Sequence, residues 1–331
     1  MSRNRMGGLT RRRALVLGAA ALACPAVARG QAATQLRIGH GLPANHPVHA
    51  AMQLFADQLR EKSGGALDTT IYPDGQIGQE VDLLSQVQAG KLDFVKASAS
   101  VVETVGPSYR VFNLPFVFRN RAHWQAVATN AVGERILAST QSQGLVGLTY
   151  YEAGSRSFYA GKPINHPDDL KGMKIRIQPS PTMQKLMALF GAEGVALAWE
   201  HVYNALRARL VDGAENSVSA LIVGKHGEVV KYYSFDEHTM VPDVFLISAA
   251  RWATFSPAQQ QMIRDTARAS YHRMNTLWDA FEKDVRAQSE RMGVTFIHPD
   301  KAPFIARANA LKVEFAADAN LARLIDQIAQ S

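Results

Sequence analysis

Cysteine is nearly absent from this 331-residue chain, and the single one, Cys24, lies in an N-terminal apolar stretch. A body without thiols has no disulfide framework, no thiolate nucleophile and no cysteine metal cluster, so its stability must come from a buried core. Also missing are a Gly-x-Ser-x-Gly elbow, a phosphate loop and a His-Glu-x-x-His pair, which removes the usual signatures of hydrolases, nucleotide enzymes and zinc proteases. The ten histidines are scattered, and His40, His46 and His49 do not make a metal-binding spacing, so neither metal nor cofactor is expected. There is no internal repeat, no low-complexity tract and no Pro/Ser-rich linker.

What the N-terminus does have is a basic cluster, Thr10-Arg11-Arg12-Arg13, followed by an apolar run from Ala14 to Cys24 and then Pro25-Ala26-Val27-Ala28. That order describes an export signal over residues 1–28, of the twin-arginine type, cleaved after Ala28 and delivering the chain to the periplasm. The run is well short of the ~20 residues that span a bilayer, which argues against an anchor. Ala21-Leu22-Ala23 is a poor context for acylating Cys24. Removing the signal takes five arginines with it, so the formal charge falls from +7 to +2, or to +1 if Arg29 also goes. The basic character that would suggest nucleic acid therefore belongs to the discarded peptide, and no nucleic-acid partner is expected.

About 300 residues remain, enough for two lobes joined by short crossovers. Leu36–Gly39 reads as a strand. Val48, Ala51, Met52, Phe55 and Leu59 recur at helical spacing after Pro47, and Gly64-Gly65 ends that helix. Leu67–Tyr72 is strand-like, Val81, Leu84 and Val87 form the next helical face, and Leu92–Val95 is a buried strand. This alternation predicts an α/β fold with largely parallel sheets and a ligand site beyond the carboxyl ends of the strands.

From Pro257 to Met292 neither proline nor glycine follows the first residue, and Met262, Ala269, Met274, Leu277, Phe281 and Val285 supply an apolar stripe. Ser256-Pro257 starts this segment and Gly293 stops it. As one helix it would approach ~50 Å and cross both lobes. Two helices with an unmarked kink are the alternative.

Two segments carry the functional signal. Leu170-Lys171-Gly172-Met173-Lys174-Ile175-Arg176 reads as a turn feeding a strand in which Met173, Ile175 and Ile177 alternate with Lys174, Arg176 and Gln178. An arginine so placed presents a planar fork that a carboxylate can accept in two parallel bonds. Val211-Asp212-Gly213-Ala214-Glu215-Asn216 reads as a tight turn that aims Asn216, whose amide can donate to the same carboxylate. Glu215, facing the other way, is structural. The pair suggests a binding protein rather than a catalyst.

The chain resembles the solute-binding proteins of tripartite ATP-independent periplasmic (TRAP) transporters, of the DctP type. The matching stretches are Tyr72-Pro-x-x-Gln76-x-Gly78, Val87-Gln88-x-Gly90-x-Leu92-Asp93, Asn113-Leu114-Pro115-Phe116-Val117-Phe118, Leu170-Lys-Gly-x-Lys174-Ile-Arg176, Phe190-Gly191-Ala192, Val202-Tyr203-x-Ala-Leu206 and Val211-Asp212-Gly213-x-Glu215-Asn216. They occur in order across nearly all of the mature chain. The resemblance implies a two-lobed periplasmic binding protein with a cleft between the lobes and a long helix spanning both. The implied lobes are 34–153 with 242–281, and 154–241 with 282–331.

It also implies that Arg176 pairs with the ligand carboxylate, that Arg156 reaches the ligand or orders the cleft, and that Trp199 closes over it. Glu80 and Ser98 are carried over from the first lobe, with Lys96 as an added cation where the family more often has an apolar residue, and His40 at the cleft border. The implied function is capture of a small organic acid anion, of the sugar-acid or C4-dicarboxylate class, and delivery to a membrane permease, without catalysis. If Lys96 faces the cleft, the ligand carries a second anionic or hydroxyl group. A periplasmic sensor for a signalling receptor would use the same pocket. An enzyme acting on an organic acid would need a general base, for which Glu80 is the only nominee. Nothing in the pattern sets an oligomeric state.

Overall fold

The described residues form eleven strands with helices between them. The computed structural model describes Met1 and residues 33–331, so the expected export signal lies outside the described residues. In chain order the strands are β1 (Thr34–Gly39), β2 (Leu67–Tyr72), β3 (Phe94–Ser98), β4 (Leu145–Tyr151), β5 (Arg156–Ala160), β6 (Lys174–Ile177), β7 (Glu193–Ala196), β8 (Gly213–Asn216), β9 (Tyr232–Thr239), β10 (Asp243–Ser248) and β11 (Thr295–Ile297). They form two sheets, one ordered β2-β1-β3-β10-β4 and the other β11-β9-β5-β8-β6-β7.

The sequence-predicted helix after Pro47 runs to Lys62, capped by the His46 side chain, which accepts from the Val48 amide. A second helix, Glu80–Gln88, begins with its acids in the first turn, where they complement the helix dipole. β1 pairs in parallel with β2 and β3, and β6 with β7 and β8. The expectation of largely parallel sheets fails where the chain changes lobe. β4 leaves the first sheet through 152–155 into β5, and β9 returns through 240–242 into β10 beside it. Outgoing and returning strands must run oppositely, so β10 is antiparallel to β3 and β4, and β5 is antiparallel to β9 and β8.

The long segment is one continuous helix, Pro257–Arg291, of 35 residues, opened by a reciprocal Ser256/Gln259 capping box. Its buried stripe is centred on Ile263, Ala267, Met274, Trp278 and Val285, while Ala269 and Leu277 are only half-buried. It packs against the helix Pro47–Lys62 and β4 of the first lobe and against the short helix Ala220–Val223 of the second. Of the segment 282–331 expected with the second lobe, the helix Ala302–Phe315 packs beside Pro181–Leu189 and β9. The helix Ala319–Ala329 instead lies on the turn Pro107–Asn113 and the helix Ala131–Ala138, on the first-sheet side. Its Leu321, Leu324, Ile325 and Ile328 recur at helical spacing and bury one apolar face in the core that holds Val111 and Phe112.

Candidate functional site

Between the two sheets lies a cavity of about 140 Å³, sized for a small molecule rather than a peptide or nucleic acid. It is floored by the crossovers at Ala153 and Val241 and by Trp278 of the long helix. Six of the eight residues expected at a site line it: Glu80, Lys96, Ser98, Arg156, Trp199 and Asn216. Arg176 and His40 are not among the lining residues.

On the second-sheet side, β5 and β8 pair so that Ser157 faces Asn216 in register, which sets Arg156 beside Glu215 and Asn216. The close approach depends on Gly213, where a Cβ would stand 2.6 Å from the Tyr159 carbonyl. Arg156 is fixed by donation from Nε to Glu215 Oε2 at 2.6 Å, from Nη2 to Glu215 Oε1 at 2.8 Å, and from Nη1 to Asn216 Oδ1 at 2.7 Å. Its charge is therefore matched on its own lobe. Burial opposes the ionised form of Glu215, but Arg156 and His238 prevail and hold the carboxyl down at about 2. His238 lies 3.6 Å from Glu215 and 2.8 Å from Asp236, and these carboxylates overcome burial to lift its imidazole to about 9. Because Asn216 Oδ1 also accepts from the Ser217 amide, the orientation of its side chain is set and its NH₂ is left as the donor to the cleft.

Arg176 has a different environment. Its Nε and Nη2 both donate to the Leu197 carbonyl, at 3.0 and 2.7 Å, and its buried Nη1 has no partner among the described residues. The side chain is 1% exposed, and burial pulls its pKa down to about 10. Leu197 is two residues ahead of Trp199, whose ring packs at 5.1 Å on His226, itself bonded through Nδ1 to Tyr159 Oη at 2.8 Å. The residue expected to hold a carboxylate is thus a buried cation with a donor to spare, tethered to the segment that carries the cleft tryptophan.

On the first-sheet wall the cation Lys96 is paired with two carboxylates. Its Nζ lies 2.8 Å from Glu80 Oε1 and 3.0 Å from Asp243 Oδ1. Burial works against the ammonium, but Asp243 and Glu80 outweigh it and keep Lys96 protonated. Burial pushes the Asp243 carboxyl above its ordinary range, with Lys96 opposing and Glu80 adding to the rise. Ser98 Oγ donates across the cleft to Gln178 Oε1 at 3.1 Å, and Glu103 Oε1 accepts from Ser180 Oγ at 2.7 Å, so the lobes are also bonded to each other. His40 is fully buried, accepting at Nδ1 from the Leu42 amide and sharing a bond from Nε2 to His49 Nδ1 at 3.1 Å.

Sequence reasoning missed His46, Asp243 and Trp278 as cleft residues. His46 caps its helix through Nδ1, which places the proton on Nε2, and burial with Lys96 nearby lowers its pKa to about 3. It is a neutral N–H donor on the cavity wall. A histidine immediately before Pro47 could have signalled the cap, but not the direction of the other nitrogen. Asp243 had no local signal, since its partner Lys96 is 147 residues away.

Residues 38–318 match the family model described as bacterial extracellular solute-binding protein, family 7, DctP. A TRAP periplasmic solute-binding protein from Xanthobacter autotrophicus, solved with bound β-D-galacturonate, is 39% identical with a TM-score of 0.87, covering 90% of this chain and 100% of that one. One from Anaerococcus prevotii with bound D-glucuronate is 33% identical with a TM-score of 0.88, covering 90% and 97%. The Escherichia coli 2,3-diketo-L-gulonate-binding periplasmic protein YiaO is 28% identical over 304 residues, covering 90% of this chain and 93% of that protein. With its two lobes, its long crossing helix and a match over most of its length, the chain belongs to the DctP family of TRAP periplasmic solute-binding proteins.

Proposed function

We propose that this protein captures a hexuronate in the periplasm and delivers it to the permease subunits of a TRAP transporter, releasing it unchanged. The observation that carries this reading is Arg176: a buried guanidinium with an unpartnered Nη1, bonded to the Leu197 carbonyl two residues from the Trp199 that lines a small-molecule cleft. A ligand carboxylate would supply its counter-charge, with the Asn216 NH₂ as a second donor. The polar first-lobe wall suits the hydroxyls of a sugar acid, and the relatives solved with galacturonate and glucuronate point to the same class. The export signal at 1–28 is removed on the way.

Capture proceeds by closure about the crossovers 152–155 and 240–242, with Trp199 covering the ligand. Burial lowers the local dielectric and strengthens each charged hydrogen bond. Calorimetric titration of the periplasmic protein, unfolded and refolded to strip ligand, tests the assignment. D-Galacturonate or D-glucuronate is expected to bind at sub-micromolar concentration and its methyl ester not at all. No heat with either acid, or equal affinity for the ester, refutes it.

A further inference from the structure

The Glu80–Lys96–Asp243 group has an excess of one negative charge, and it faces the cavity from the opposite side to the arginines. Lys96 engages one oxygen of each carboxylate. Glu80 Oε2 and Asp243 Oδ2 have no hydrogen-bond partner among the described residues, although the two side chains retain 21% and 11% of their exposure. The wall therefore offers two charged acceptors and, in Lys96, a cation whose charge is outweighed by its two carboxylate neighbours. Acceptors of this kind are satisfied by hydroxyl donors and repel a carboxylate.

We propose that this triad is the charge filter of the cleft, selecting a polyhydroxylated monocarboxylate and rejecting the corresponding dicarboxylate. The inference rests on the hexuronate reading and deepens it. A ligand anchored by its carboxylate on the Arg176 and Asn216 side extends its far hydroxyls to Glu80 and Asp243. Oxidising the far end to a second carboxylate replaces donors by charge. At about 6 Å from a net charge of −1, with an effective dielectric of about 20, that exchange costs on the order of a hundredfold in affinity. Lys96 has a second role in this arrangement. It holds the two carboxylates together, so the wall is rigid before the ligand arrives.

The test compares D-galacturonate with galactaric acid, in which the anomeric carbon is oxidised to a second carboxylate and the ring is open, so the charge term is read from how far the preference narrows in variants of the wall. Each is titrated calorimetrically into the wild type, Glu80→Gln and Asp243→Asn. The wild type is expected to prefer galacturonate by about a hundredfold. Both variants neutralise the wall, and each is expected to lose some galacturonate affinity while the preference narrows by about tenfold or more. Glu80→Gln keeps the size of a partly exposed side chain, and an unchanged melting temperature shows that it folds. Equal wild-type affinity for the two acids overturns the filter, as does a preference untouched by both variants. A wild type that binds neither acid refutes the hexuronate reading itself, and the filter with it.

Discussion

Replacing Arg176 by methionine should separate binding from folding. Burial without a counter-ion pulls this guanidinium down to about 10, which on its ordinary value corresponds to a penalty of about 3 kcal/mol carried by the empty protein. Against that stand two hydrogen bonds to the Leu197 carbonyl, whose loss costs about 2–3 kcal/mol. The terms nearly cancel, so Arg176→Met should melt within a few degrees of the wild type, whereas truncating an ordinary buried pair costs about 3–5 kcal/mol. Binding has no such compensation. Losing the cation opposite a buried carboxylate should cost about 3–5 kcal/mol, a factor of several hundred or more in Kd. Thermal-shift titration reads both quantities, since ligand at about 100 times Kd adds about 2.7 kcal/mol to the wild type and almost nothing to the variant. Arg176→Lys keeps a charge without the fork and should fall between. Full affinity in Arg176→Met refutes the anchor. A collapse of stability refutes the claim that the empty protein carries an unmatched charge.

Other features have separate tests. His238, held protonated by Asp236 and Glu215 up to about 9, contributes about 3 kcal/mol that is complete below pH ~6.5 and is lost as pH rises through about 9. A His238→Gln variant should therefore be less stable than the wild type at pH 6 and converge with it near pH 10, and a constant difference in melting temperature across that range contradicts the assignment. Gly213→Ala should cost about 1–3 kcal/mol by driving a methyl into the Tyr159 carbonyl, with weaker ligand binding as β8 shifts Asn216. Denaturant midpoints and calorimetry check the two effects. Periplasmic protein should have an intact mass starting near Arg29 and no lipid; an acylated Cys24 would contradict the cleavage expected after Ala28.

Local rules made much of this molecule legible. Serine and proline marked the start of the long helix, and period-two alternation around Ile175 set Arg176 and Gln178 on one face of their segment. The stripe on the long helix was drawn partly on Ala269 and Leu277, because an apolar residue beside the true contact line looks the same in sequence as one on it. The charge state of the cleft was not legible. The partners of Lys96 were not visible because Glu80 comes from a helix 16 residues earlier and Asp243 from a strand that returns from the other lobe. Arg156 and Arg176 were alike as residues, and only their partners, Glu215 for one and a lone carbonyl for the other, tell them apart. Pairings of this kind are set by topology, and no spacing rule encodes them.

The chain contains four tryptophans, and two of them, Trp199 and Trp278, line the cleft. The indole Nε1 of Trp278 is buried without a partner among the described residues. Trp278 sits on the helix that touches both lobes, while Trp199 rides on the segment tethered to Arg176. The protein therefore contains its own optical reporter. A ligand that draws Arg176 away from Leu197 changes the surroundings of Trp199, and closure changes those of Trp278. Titrating unlabelled acid into Trp199→Phe and Trp278→Phe variants should resolve local capture and global closure as separate changes in emission.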